Sequence, residues 1–267
     1  MKKKCFRNLV TFVICFVLML NISGLSISAQ TTPNIQLYSA KLVTTYPSQY
    51  GIHEVYYSAT GYINVKNLSA DKNITVHYTY DGSNWLDQSA SYLKTLEDGS
   101  EVWTFKTPEQ TYPTYPINHQ VEYNCKFAVK YEVDGNTYWD NNNGDNYLLQ
   151  HTTMIYNAPC TLSKSAVMLN DSRYNDYNKS IIGSIYVKNL AYDKNVKVRY
   201  TLDNWQTYNE VDANYTRTYD NNTELWSFDI YGLDDYQWNN YHFAISYTVN
   251  GVTYWDNNFG DNYNFTK

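Results

Sequence analysis

Tyr123-Asn-Cys-Lys-Phe-Ala-Val-Lys-Tyr-Glu-Val133, Asp134-Gly135 and Asn136-Thr-Tyr-Trp-Asp140 decide the fold. Cys125, Phe127, Val129, Tyr131 and Val133 alternate with Lys126, Lys130 and Glu132, a period of two that belongs to a half-buried strand and not to a helix. Asp-Gly between two such runs favours a two-residue type I′ hairpin, which fixes the register and so the faces. Counting back from the turn opposes Tyr131 with Tyr138, Lys130 with Trp139 and Ala128 with Asn141. The apolar face takes the core. Trp139 and Asn141 are therefore expected to point outward, because directly opposed residues share a face.

The same hairpin recurs as Tyr241 to Val249, Asn250-Gly251 and Val252 to Asp256, with Phe243, Ile245 and Tyr247 inward, Ser246 opposite Trp255 and Ala244 opposite Asn257. It closes a duplication of most of the chain. Gly61 to Asn73 matches Gly183 to Asn195, Asn84-Trp85 matches Asn204-Trp205, and Trp103-Thr-Phe105 matches Trp226-Ser-Phe228. Tyr138-Trp-Asp-Asn-Asn-Asn-Gly-Asp-Asn-Tyr147 matches Tyr254-Trp-Asp-Asn-Asn-Phe-Gly-Asp-Asn-Tyr263. The expected organisation is a first β-sandwich over residues 30–150, a linker over 151–163 containing Pro159, and a second β-sandwich over 164–267.

Of the 267 residues, Met1 to Ala29 read as a secretory leader: Lys2, Lys3, Lys4 and Arg7, an apolar run from Leu9 to Leu20, then Ser26-Ile27-Ser28-Ala29. The expectation is a secreted, extracellular product with no membrane span in its mature part. The formal net charge is −6 although the leader carries four basic residues and no acid, which disfavours nucleic acid as a partner. Cys125 has inward parity and is expected to be a buried free thiol; a disulfide to Cys160 in the linker is the alternative.

An outward Trp beside an amide is a candidate ligand platform, since the ring stacks on an apolar sugar face and the amide bonds hydroxyls. A cap over the ring by a loop or the other domain is the competing reading. Trp103 and Trp226, in strand with Phe105 and Phe228, are expected in the core; Trp85 and Trp205, in turns, are expected exposed; Trp238 has no counterpart. Asp140 and Asp256 have inward parity, which points to structural hydrogen bonding. Asp140-Asn-Asn-Asn-Gly-Asp145 departs from a helix-flanked calcium loop, with Gly144 fifth and His151 in the twelfth position. No metal or other cofactor is expected. HExxH, GxSxG and phosphate-loop motifs are lacking, so an enzyme is not expected; a glycoside hydrolase using paired carboxylates is the alternative.

Val-Lys-Asn-Leu-x-x-Asp-Lys, Tyr-Thr followed by Asn-Trp, Trp-x-Phe, and Tyr-Trp-Asp-Asn-Asn-x-Gly-Asp-Asn-Tyr, in order and twice, resemble carbohydrate-binding module family 21. The resemblance implies immunoglobulin-like sandwiches that bind α-1,4-glucan. It implies one site from Trp85, Trp139, Lys72, Asn141 and Asn146, and its repeat from Trp205, Trp255, Lys194, Asn257 and Asn262, with Ala128 and Ala244 where a third aromatic of the family stands. It implies a second site from Tyr192 and Tyr215 with Asn189, and in the first copy from Tyr92 with Asn67, where Ala70 replaces one ring. The expected function is thus a secreted, non-catalytic α-glucan binder with two linked modules gaining avidity on a polymer. Lys197-Val-Arg-Tyr200 loosely resembles a phosphatase docking motif; as strand residues of an exported protein, they are not expected to serve as one.

Overall fold

The computed structural model describes residues 32–45, 54–113, 123–151, 156–233 and 241–264. The expected leader and Trp238 lie outside the described residues. The described residues from Pro33 onward form one compact unit, built from two β-sandwiches.

In the first, β1 (Ile35–Thr45), β2 (Glu54–Val65), β5 (Ser91–Thr95), β6 (Glu101–Lys106) and β7 (Gln110–Pro113) form one layer. The other layer contains β3 (Lys72–Thr79), β4 (Leu86–Ser89), β8 (Tyr123–Val133), β9 (Asn136–Asp140) and β10 (Tyr147–His151). The segment between the modules supplies β11 (Cys160–Leu162), which lies antiparallel to β1 with Ala40 opposite Thr161. Residues expected to be only a linker are thus a strand of the first module's sheet, with Cys160 and Leu162 in the interior. The second sandwich sets β12 (Val167–Asn175), β13 (Ser180–Lys188), β16 (Asn214–Thr218) and β17 (Thr223–Ile230) against β14 (Lys194–Thr201), β15 (Asn209–Asp212), β18 (His242–Val249), β19 (Val252–Asp256) and β20 (Tyr263–Asn264).

The parity of the hairpin is borne out: Cys125, Phe127, Val129, Tyr131 and Val133 are buried, and Lys130 faces Trp139 across the ladder. Buried tyrosines are satisfied by backbone, Tyr131 donating to the Lys66 carbonyl at 3.0 Å and Tyr247 to that of Lys188 at 2.6 Å. Cys125 and Cys160 are both free and buried, and burial pushes the Cys125 thiol up to about 12.

One pairing differs from the expected register, and it makes the site. The β8–β9 ladder ends at Val129 with Asp140, and β10 rejoins β8 at Phe127 with Tyr147. Asn141 to Asn146 therefore leave the sheet opposite the single residue Ala128, instead of Asn141 pairing with it. Asn142, Asn143 and Asn146 adopt φ of 54°, 59° and 61°, the left-handed region that Asn tolerates better than most residues. Asn257 to Asn262 leave in the same way opposite Ala244, between Ile245 with Asp256 and Phe243 with Tyr263.

The two modules are packed on each other. The Phe259 ring sits 5.0 Å from the rings of both Tyr38 and Tyr62 in the first module, edge-on to each. Lys94 Nζ donates to the Phe259 carbonyl at 2.9 Å and to Asp261 Oδ1 at 2.6 Å. Lys41 Nζ reaches the carbonyls of Leu169, at 3.2 Å, and Asn170.

Candidate functional site

Each module carries a row of flat side chains on the outer face of its β8 or β18 layer. In the first, β9 holds Trp139 48% exposed. His77, one strand beyond Lys130, stacks on Trp85 at 4.8 Å with 13° between the rings and presents its edge to Trp139 at 6.0 Å. Asp87 accepts from His77 at 2.6 Å, and the Lys130 ammonium lies 5.9 Å from the Trp139 ring. The turn before Trp85 is tied by Asp81, whose carboxyl is held well below the usual range by the backbone N–H groups of Asn84 and Ser83. Asn141 starts the loop's 3-10 turn, its Oδ1 accepting from Gly144 N at 3.0 Å, and its backbone carbonyl accepts from Asn146 N at 2.8 Å. Both asparagines thus hold the loop's shape while remaining at least partly open to solvent.

The second module repeats this with one substitution that motif matching misses. His77 pairs with Asp87 across β3–β4, and Arg199 pairs with Glu210 across β14–β15. The residue just before the paired strand is then Trp85 in one case and Tyr208 in the other, because the second turn is one residue longer. The Arg199 guanidinium lies 4.4 Å from the Tyr208 ring and 4.9 Å from Trp255, repeating the His77 bridge as a cation over two rings. Trp205 sits within the turn at φ 67°, its N–H donating to Thr201 Oγ1 at 2.8 Å. Backbone and side-chain donors of Thr207 pull the Asp203 carboxyl to about 2, fixing that turn. Only a strand register could have identified Tyr208; its flanking sequence carries no Asn-Trp signal.

Lys72 and Lys194, which the resemblance grouped with the Trp rows, are joined to other residues. Lys72 Nζ bonds Asn67 Oδ1 at 2.6 Å and Glu101 at 2.9 Å, and Glu101 Oε2 also accepts from the Trp103 indole at 3.0 Å. Lys194 repeats this with Asn189 and with Glu224 at 2.7 Å, and the Trp226 indole donates to Glu224 at 2.9 Å. In the second module this assembly is the wall of a groove of about 910 Å³ whose lining includes Tyr192, Tyr215, Leu190 and Trp226. Tyr192 is 97% and Tyr215 55% exposed. Tyr92 is also exposed and meets Trp103 edge-on at 5.8 Å, as Tyr215 meets Trp226 at 5.9 Å. Trp103 and Trp226, expected in the core, pack against it but are only partly buried, whereas Phe105 and Phe228 two residues on are buried within it.

Asp140 and Asp256 serve the scaffold. Asp140 accepts from Leu37 N at 2.7 Å and from the Tyr147 hydroxyl at 2.8 Å; Asp256 accepts from Leu169 N at 2.6 Å and from the Tyr263 hydroxyl at 2.7 Å. Burial raises the Asp256 carboxyl above its ordinary range against the lowering effect of these bonds.

A model of the carbohydrate/starch-binding module (family 21) matches residues 48–150 and 161–266. Glycogen-binding subunit 76A of Drosophila melanogaster is 33% identical over 103 residues, 38% of this chain and 15% of that protein. Protein phosphatase 1 regulatory subunit 3B of Homo sapiens is 39% identical over 93 residues, 34% of this chain and 33% of that protein. The chain spans about a third or less of these relatives. Among solved structures, the starch-binding domain of Rhizopus oryzae glucoamylase in complex with β-cyclodextrin and maltoheptaose is 33% identical, with a TM-score of 0.32, over 39% of this chain and 94% of that one. The relatives correct the expected function. They are named as subunits, one glycogen-binding and one regulatory to a phosphatase, so the similarity leads to subunits of larger assemblies and not to a secreted, free-standing α-glucan binder.

Proposed function

Because the chain belongs to carbohydrate/starch-binding module family 21 through both of its halves, we propose that it is a glycan-anchoring component that grips glycogen- or starch-type polysaccharide with two modules at once. The family is one of binding modules and the relatives are binding and regulatory subunits, so the chain is not an enzyme. The observation that carries the proposal is the outward pair of rings bridged by a polar side chain on each module: Trp85, His77 and Trp139, then Tyr208, Arg199 and Trp255. Rings at the ends of such a row stack on successive sugar faces, while Asn141, Asn146, Asn257 and Asn262 offer amide donors and acceptors beside them. The exposed Tyr192 and Tyr215 provide a second contact in the second module, and Tyr92 its counterpart in the first. Single contacts of this kind are weak; two modules on one repetitive polymer gain by effective concentration.

The phosphatase in the relatives' names is theirs. Lys197-Val-Arg-Tyr200 is interior to β14 and hydrogen-bonded on both sides, to β15 and β18, so its backbone is not available to a docking partner.

Sedimentation on granular starch, with cellulose as control, tests the proposal. Wild-type protein is expected in the starch pellet and not the cellulose pellet, and a folded Trp139→Ala/Trp255→Ala variant in the supernatant. Wild-type protein that stays in solution over starch would overturn it.

A further inference from the structure

Three depressions lie in a row along the surface at the module junction, each sharing wall residues with the next. The first, about 240 Å³, is lined by Trp139, Asn142 and Asn143 of the first module. The second, about 310 Å³, lies over the junction strand and is lined by Asn142, Thr161, Asn189, Leu190 and Asn222. The third is the 910 Å³ groove beneath Tyr192 and Tyr215. Asn142 walls both the first and the second; Asn189 and Leu190 wall both the second and the third. Taken in this order the row, or track, is aromatic at each end and has amides in its middle.

We propose that this track is a single binding site for one α-glucan chain, with the junction as a contact region of its own between the two modules. The inference rests on the glucan reading above. Its chemistry is that of a hydroxyl-rich ligand. Asn189 Nδ2 donates to Asn222 Oδ1 at 3.3 Å and Asn222 Nδ2 to the Asn189 carbonyl at 3.1 Å. Each amide has two N–H groups and two lone pairs, so these bonds leave each with a donor and an acceptor for sugar hydroxyls. The exposed Leu190 supplies apolar surface between them.

The track needs the modules held in one arrangement, and the structure holds them. Thr161 belongs to β11, which is hydrogen-bonded into the first module, and Asn221 of the second module donates to the Cys160 carbonyl at 2.8 Å. Phe259 explains why docking is built into this copy of the loop. It replaces the Asn143 of the first copy, keeps the left-handed backbone at φ 54° that an aromatic residue rarely adopts, and inserts between Tyr38 and Tyr62. Asn143, at the equivalent position, lines the track.

Titration calorimetry of the full chain with maltotriose and with size-fractionated linear amylose tests this. Thr161→Trp fills the junction while keeping a residue suited to a strand; Asn222→Gly removes one amide at a φ of 61° that Gly accepts freely. Wild-type protein is expected to bind one amylose chain per molecule, at least about tenfold more tightly than maltotriose. Thr161→Trp is expected to lose that gain with maltotriose binding unchanged, and Asn222→Gly to lose part of it. Amylose affinity unaltered in both variants, or two amylose chains per wild-type molecule, would overturn the inference while leaving the glucan reading intact. Wild-type protein that binds neither sugar would remove both. If Thr161→Trp does not fold, Asn222→Gly decides.

Discussion

Lys194→Met should be among the most damaging single changes in the second module. The Lys194 and Glu224 side chains are only 4% and 7% exposed, and Nζ stands 2.7 Å from Oε1. Removing the lysine leaves the glutamate charge buried with the Trp226 indole as its remaining partner. Breaking one side of a buried pair costs about 3–5 kcal/mol. For a sandwich of this size each kcal/mol moves the melting temperature by about 4–8 °C, so the second module should melt at least about 12 °C lower. Lys194→Met/Glu224→Leu should recover most of the loss, since a packed apolar pair replaces two desolvated charges at little net cost. Differential scanning calorimetry of both variants gives the answer. The reasoning fails if Lys194→Met stays within about 1 kcal/mol of wild type, or if the double variant is no better than the single. Lys72 and Glu101, 2.9 Å apart and equally enclosed, offer the same experiment in the first module.

Two further outcomes follow from local geometry. At Gly183 an added Cβ would lie 2.5 Å from the Asp171 carbonyl oxygen and 2.5 Å from the Phe228 ring, so Gly183→Ala should cost about 1–3 kcal/mol in urea unfolding, and an unchanged midpoint would contradict the contact. Burial raises Asp256, which also faces Lys41 and Tyr263, so the folded chain holds that proton more tightly than the unfolded one. The group's contribution to stability therefore grows as pH falls through its raised pKa and declines as pH rises. The stability of wild type relative to Asp256→Asn should therefore rise between pH 7 and pH 4, and a difference that is flat with pH would refute the assignment.

The sequence made the strand faces readable wherever a two-residue turn pinned them. Asp134-Gly135 and Asn250-Gly251 placed Trp139 and Trp255 outward, and the inward parity of Asp140 and Asp256 anticipated their hydrogen bonds to Leu37 and Leu169. Where loop length intervened, motif matching misled: Asn204-Trp205 mimics Asn84-Trp85, yet the longer turn brings Tyr208 to the ring position beside Arg199. Alternation also carries no information about depth, which is why Trp226 and Phe228 share a face while only the phenylalanine reaches the core. Lys194 could not be assigned to the Tyr192 groove from spacing, because its partner Glu224 lies 30 residues away on another sheet. The role of Cys160-Thr161-Leu162 was hidden for the same reason: three residues have no period, and only β1 makes them a strand.

That short strand has a mechanical consequence. Because β11 lies antiparallel along β1 and leads directly into the second module, a pull that separates the modules loads the hydrogen bonds around Ala40 and Thr161 before it stretches any slack chain. The same strand covers the outer edge of β1, an edge that would otherwise offer unpaired backbone groups to another chain. Tension on a glucan held by both modules would therefore be borne by a seam whose opening also uncovers a surface prone to self-association.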